Sequence, residues 1–125
     1  MSLGHSAEDY LEAILRLGRK NGSVRAVAVA EELGVSRASV CVALRSLKDK
    51  GCVTVDENNQ LHLTALGREI AETVDERCQL FLALFHQLGV DPKLAAADAC
   101  RMEHAISGES FAALKQYLQR TGMSV

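Results

Sequence analysis

Cys100, Glu103 and His104 are spaced to act together. In a helix, Cys100 and Glu103 lie three apart and Cys100 and His104 four apart, so all three project from one face. A thiolate, a carboxylate and an imidazole are three standard ligand types for a transition metal. Three ligands from one helix leave coordination positions for other parts of the chain to fill. The stretch Cys100-Arg101-Met102-Glu103-His104 also fits a plainer arrangement, a buried Cys beside a surface Glu-His pair. The rest of the chain has to decide between them.

The 125 residues correspond to about one domain, or a small domain with an appendage. Apolar residues make up 48% of the chain, enough for a core. A single Pro, few aromatics and no Trp favour helices built on Ala, Leu and Val. No apolar run approaches the roughly 20 residues of a membrane span, and the N-terminus lacks the pattern of a secretory signal. Met1-Ser2-Leu3 is assigned no role. Cys41, Cys52, Cys78 and Cys100 are scattered without a C-x-x-C pair, so reduced thiols in the cytoplasm are expected. The net charge of −2 does not advertise nucleic acid, but it is unevenly spread. Residues 36–50 carry Arg37, Arg45, Lys48 and Lys50 against Asp49 alone, while residues 67–125 have an acidic excess.

The elements that must position these groups can be read in order. Ser6 to about Lys20 predicts a helix with an apolar stripe of Ala7, Leu11, Ile14 and Leu15 and with Tyr10 beside it, stopped by Asn21-Gly22. Asp9 and Glu12 share a different face. Ser6-x-x-Asp9 resembles a capping box, and Glu12 could simply be solvated. Val27–Leu33, the turn Gly34-Val35-Ser36 and Arg37–Lys50 form a helix-turn-helix, with Ser36 as cap and Ala30, Val35, Val40, Leu44 and Leu47 as apolar contacts. Cys52–Val55 and Leu61–Leu63 alternate as short strands around an acidic tip at Asp56-Glu57, a β-hairpin wing that approaches DNA weakly. Thr64 caps a long helix to about Leu88, with Ile70, Val74, Cys78, Phe81 and Phe85 along its apolar face. Asp91-Pro92 opens another, packed through Ala95, Ala99, Met102 and Ile106. Ser107-Gly108 breaks it, and Ser110 to about Arg120 is a last amphipathic helix. The expected fold is mostly α: a winged helix-turn-helix over residues 1–65, then an α-helical dimerisation domain over 66–125. Leu80, Phe81, Leu82, Leu84 and Phe85 look exposed in the second part, and a two-fold homodimer would bury them.

With these pieces placed, the chain resembles the diphtheria-toxin-repressor family of metal-dependent transcriptional regulators, and among them the short manganese-responsive type. The resemblance is carried by Glu8-Asp9-Tyr10-Leu11-Glu12, the winged helix from Val27 to Leu63, Leu63-Thr64-x-x-Gly67, and Cys100-Arg101-Met102-Glu103-His104-x-x-Ser107. It implies a divalent metal held by Asp9, Glu12, Cys78, Cys100, Glu103 and His104, and a dimer that binds operator DNA. Cys78 stands where the manganese type has a His. Cys100 stands where it has a Glu and where the iron type has a Cys. The acidic pair favours manganese(II), and the two thiols favour softer ions: iron(II), with zinc or cobalt also in reach. His5, His62 and His86 match no ligand position and are read as ordinary surface or packing residues.

In the recognition helix, Arg37, Ala38, Ser39 and Val42 lie toward the exposed N-terminal face, where Arg37 or Ser39 could reach base edges or phosphates and Ala38 and Val42 thymine methyls. Arg25, Arg45 and Lys48 are candidate phosphate contacts. The expected function is a metal-dependent DNA-binding regulator, repressing metal uptake by analogy, with double-stranded operator DNA and a second copy of the chain as partners. A membrane partner and a small-molecule substrate are not expected. The alternative is a winged-helix regulator that senses oxidation through Cys78 and Cys100. An enzyme would need a nucleophile motif, a phosphate loop or a substrate domain, and the sequence offers none of these.

Overall fold

The computed structural model describes residues 4–123, with the side chain of His5 outside the described set. Its elements are α1 (His5–Asn21), α2 (Ala26–Leu33), α3 (Arg37–Asp49), β1 (Val53–Val55), β2 (Leu61–Leu63), α4 (Ala65–Gln87), α5 (Pro92–Met102) and α6 (Gly108–Arg120). The chain divides into two compact units, Met1–Glu72 and Thr73–Val125, the division falling inside α4. The mostly helical architecture with one hairpin after a helix-turn-helix is the expected one.

In the first unit, Tyr10, Leu11, Ala13, Ile14, Leu15 and Leu17 of α1 join one core with Val29, Ala30, Val40, Leu44 and Leu47 of the helix-turn-helix. The expected capping box does not form. The helix starts at His5, so Ser6 falls inside the first turn, and the N-cap position belongs to Gly4, which makes no side-chain cap. The turn between α2 and α3 depends on Gly34, whose φ of 65° would penalise any residue with a β-carbon. Val35 follows it at the tip of the turn and is 38% exposed, not in the core as expected. Its side chain leaves the helical path because its N–H closes back on the Ala30 carbonyl at 3.1 Å. Ser36 caps α3 as expected, its hydroxyl accepting from the Ser39 N–H at 3.1 Å.

The wing pairs Val53 with Leu63, Thr54 with His62 and Val55 with Leu61. Its turn is closed by one carboxylate. Asp56 Oδ1 accepts from the N–H groups of Asn58 at 2.8 Å and Gln60 at 3.0 Å, and Oδ2 lies 2.8 Å from His62 Nε2. The His62 contact, then the backbone amide of Gln60, hold the Asp56 carboxyl below its ordinary value. Beyond the wing, Thr64 starts α4. Its Oγ1 accepts from the Gly67 N–H at 3.1 Å and donates to the Gly51 carbonyl at 2.6 Å, while its N–H donates to the Cys52 carbonyl at 3.0 Å. Gly67 then passes so close to this backbone that an added β-carbon would lie 2.0 Å from the Cys52 oxygen.

The second unit is built on Cys78, Leu80, Phe81, Ala99, Phe111 and Leu118. Phe81 meets Phe111 edge to face, with ring centroids 6.5 Å apart. Leu80 and Phe81 are therefore interior, not exposed as expected, and Leu82, Leu84 and Phe85 are half-buried against the same core. The exposed large apolar side chains of this unit are Leu88, Leu94, Met102 and Tyr117. Asp91 caps α5 through the N–H groups of Lys93 and Leu94, with Pro92 behind it, as expected.

The end of α5 departs from expectation. The helix stops at Met102, and Met102 is 38% exposed, not packed. Glu103 takes the inward position as C-cap, with its N–H still bonded to Ala99 O at 3.0 Å, and His104 lies in the turn beyond. Ser107 opens α6 earlier than expected, at Gly108, by accepting from the Ser110 N–H at 3.1 Å.

Gly67→Ala should destabilise the chain by about 1–3 kcal/mol through overpacking, seen as a lower urea midpoint at unchanged m-value. For Asp56, a depressed folded pKa means that its stabilising contribution is full above the ordinary carboxylate value of about 3.9. That contribution is lost as pH falls through the lower folded value. Amide NMR signals of Asn58 and Gln60 should show the wing turn opening only on acidification below about pH 4, and Asp56→Asn should remove that acid step.

Candidate metal centre and nucleic-acid interface

Within the first unit, α3 exposes Arg37, Ala38, Ser39, Cys41, Val42, Arg45 and Lys48. Helical spacing places Arg37, Cys41, Arg45 and Lys48 on one stripe. With Arg25, the residue that precedes α2, and Asn59 of the wing, they line a groove of about 480 Å³. Four cations in one concavity between low-dielectric walls focus a positive potential suited to phosphate. The wing subtracts less from that field than its acidic tip suggests, because Asp56 is turned onto its own turn amides and His62, leaving Glu57 as the exposed acid. Ala38, Ser39 and Val42 do not line the groove. Ala38 and Val42 are exposed on α3, Val42 at 67%. Ser39 is engaged at the cap, where its Oγ accepts the Ser36 hydroxyl at 2.9 Å.

The candidate metal ligands fall into both units. In the first, Asp9 is half-buried on α1 and Glu12 follows it one turn later. Glu12 is 5% exposed and takes the Arg16 guanidinium at 2.8 Å. It is therefore not a solvated surface acid, and its i,i+4 cation offsets part of the cost of removing its charge from water.

In the second unit the groups gather on Glu103, which is 0% exposed. A Glu103 carboxylate oxygen and the Cys78 sulfur lie within 4.8 Å of one another, and so do a Glu103 oxygen and the Cys100 sulfur. His104 places Nε2 3.2 Å from Glu103 Oε1. Cys78 belongs to the core of this unit and Cys100 is exposed, so the two thiols come to the carboxylate from unlike surroundings. The single helix face expected for Cys100, Glu103 and His104 is replaced by a helix end. Cys100 is still on the helix, Glu103 caps it, and His104 has left it.

The donor set fits a transition metal. Ligand atoms that share one tetrahedral ion with bonds of about 2.0–2.3 Å lie roughly 3.3–3.8 Å apart, so donors within 4.8 Å of one another need to close by about 1.5 Å at most. Sulfur, carboxylate oxygen and imidazole nitrogen together suit ions softer than magnesium or calcium. All four cysteines are thiols, and burial pushes the Cys52 thiol above its ordinary value, so that one is structural.

Three residues of these sites were not singled out from sequence. Cys41 was findable, since it lies four residues after Arg37 and four before Arg45. Arg16 was also findable, as the i+4 partner of Glu12. Asn59 enters the groove from a wing turn with φ of 61°, which spacing alone does not reveal.

Comparison with known proteins places both units. Residues 2–61 match the iron dependent repressor N-terminal DNA binding domain, and residues 64–123 match the iron dependent repressor metal binding and dimerisation domain. The transcriptional regulator MntR of Escherichia coli O6:H1 is 36% identical over 115 residues, covering 92% of this chain and 74% of that protein. A solved manganese-dependent transcriptional repressor in complex with manganese superposes with a TM-score of 0.80 at 28% identity, over 90% of this chain and 52% of that one. ScaR with bound zinc superposes at 0.76 and 25% identity, over 90% and 53%. The chain thus spans about half the length of these solved repressors. None of these relatives is named for thiol chemistry, so the redox-sensing alternative is without support and is set aside. The chain belongs to the iron-dependent repressor family, and it is a metal-dependent DNA-binding transcriptional regulator.

Proposed function

We propose that Asp9, Glu12, Cys78, Cys100, Glu103 and His104 together hold a divalent transition metal, and that metal loading governs operator binding by a homodimer. The observation that carries the reading is Glu103, a fully buried carboxylate with two thiols and an imidazole drawn to it. Such a group is stable when its charge is shared. A bound divalent ion supplies the positive charge that acidic ligands need in order to lie close together. Asp9 and Glu12 are the hard donors of the set, and Cys78 and Cys100 the soft ones. Iron(II) or manganese(II) is the physiological ion in this reading, with zinc and cobalt as competent substitutes. The solved relatives in complex with manganese and with zinc support that range.

The exposed apolar side chains Leu88, Leu94 and Met102 supply material for a two-fold interface. A dimer presents two copies of α3 to half-sites about one turn, roughly 34 Å, apart on double-stranded DNA. Arg25, Arg37, Arg45 and Lys48 contact phosphates, while Ala38 and Val42 face the bases, with Ser39 at the helix start. The regulator works in the cytoplasm and represses genes for metal uptake. Nothing in the reading requires a catalytic step, a small-molecule substrate or a membrane.

Metal and operator should be reciprocally coupled by about 1–3 kcal/mol, roughly 5–150-fold in affinity. Anaerobic gel-shift titrations of the apo-protein with manganese, iron(II) and zinc measure this directly, and equal operator affinity with metal and with chelator would sink the reading. Arg37→Ala and Arg45→Ala should each weaken operator binding and reduce the slope of log affinity against log salt by about 0.9 per lost phosphate contact. An unchanged slope would take that arginine off the contact surface.

A further inference from the structure

The turn that carries Glu103 and His104 is held by a residue that cannot itself ligate a metal. Arg77 precedes Cys78 on α4, and its Nη1 donates to two main-chain carbonyls, Ile106 O at 2.8 Å and Glu103 O at 3.2 Å. Its guanidinium also lies over the Phe111 ring of α6, 5.6 Å from the centroid. These carbonyls bracket the segment between α5 and α6. The end of a helix leaves carbonyls without intrahelical partners and carries a partial negative charge. A permanently charged, multi-donor guanidinium satisfies both demands at once. The far side of the same segment is fixed by Ser107, which caps α6 through the Ser110 N–H.

Arg77 and Cys78 are consecutive on α4, so the same stretch of helix that offers a thiol to Glu103 also grips the Glu103 backbone. The two bonds from Arg77 thus tie the backbone that carries the carboxylate to the helix that carries the sulfur. We propose that Arg77 is a positioning residue for the metal centre, fixing the Glu103–Ile106 turn against α4 so that the Glu103 carboxylate faces Cys78 and Cys100. This rests on the metal reading above and extends it to a residue outside the ligand set.

The rival is a purely structural arginine that steadies the corner between α5 and α6, and a matched control separates the two. In the full chain under anaerobic conditions, cobalt(II) is titrated and followed by its thiolate charge-transfer and d–d absorption. Arg77→Ala should lower cobalt affinity by about 10–100-fold, the usual effect of losing a partner behind a ligand, and shift the thiolate band. Arg77→Lys, which keeps the charge and can reach the carbonyls, should restore part of both. Leu118→Ala, which loosens the same core without touching Arg77 or the turn carbonyls, should lower the urea midpoint but leave the spectrum in place. Should Arg77→Ala not fold, Arg77→Lys carries the test, with a smaller change in the same direction. An unaltered affinity and band in the arginine variants overturns the positioning role, as does a spectral change of equal size in Leu118→Ala. If the unsubstituted chain gives no cobalt–thiolate band, the metal reading itself falls and takes this role with it.

Discussion

Removing a carboxylate from water costs several kcal/mol unless other groups share its charge. Glu103 is the fully buried acid of this chain among the described residues, and the second unit is built around that constraint. The α5 helix ends where Glu103 must turn inward, His104 leaves the helix to meet the carboxylate, and two thiols approach from separate helices. Arg77 then compensates the carbonyls that the helix end leaves behind. A core designed only for stability would place an apolar residue here. Retaining the acid makes sense if the site exists to exchange protein–protein for protein–ion contacts.

The first unit meets a different electrostatic demand. The chain is acidic overall, yet nucleic-acid recognition needs a local positive field. The fold provides it by geometry. Arg25 arrives at the start of α2, while Arg37, Arg45 and Lys48 recur along one side of α3, and a hairpin closes the far wall of the groove. The neighbouring acid at the wing, Asp56, is employed internally as the fastener of its turn, with its oxygens aimed at the turn amides and His62.

Much of this was legible in the sequence, because local rules govern it. Ser36, Thr64 and Asp91-Pro92 act as caps where hydrogen-bond chemistry places them. The helix-turn-helix follows from Ala30, Gly34 and Val40, and the wing from its alternating strands. What was not legible depends on distant contacts. No Gly or Pro marks the end of α5, and the break signal Ser107-Gly108 lies five residues later, where it serves α6 instead. The periodicity therefore ran through Glu103 and exchanged its burial with that of Met102. Glu12 looked solvated because a carboxylate gives no hydropathy signal for burial, and only the fold brings it inside. Ser6 carried the chemistry of a cap two residues too late to use it. For the metal ligands, spacing assembled only Cys100, Glu103 and His104. Asp9, Glu12 and Cys78 came from family resemblance.

The contact of Gly67 with the Cys52 carbonyl, and the double use of Thr64, bear on where this chain can accommodate change over evolution. The base of the wing and the first turn of α4 are interlocked through main-chain atoms, so a residue gained or lost beside Cys52 or between Thr64 and Gly67 cannot be absorbed there. Length variation must instead collect at exposed backbone, and the wing tip at residues 57–59 offers it. Even that tolerance is bounded, because Asp56 grips Asn58 and Gln60 within the same turn. A lineage that lengthens its wing must replace this fastener as it does so, and a longer hairpin without Asp56 and His62 would mark that event.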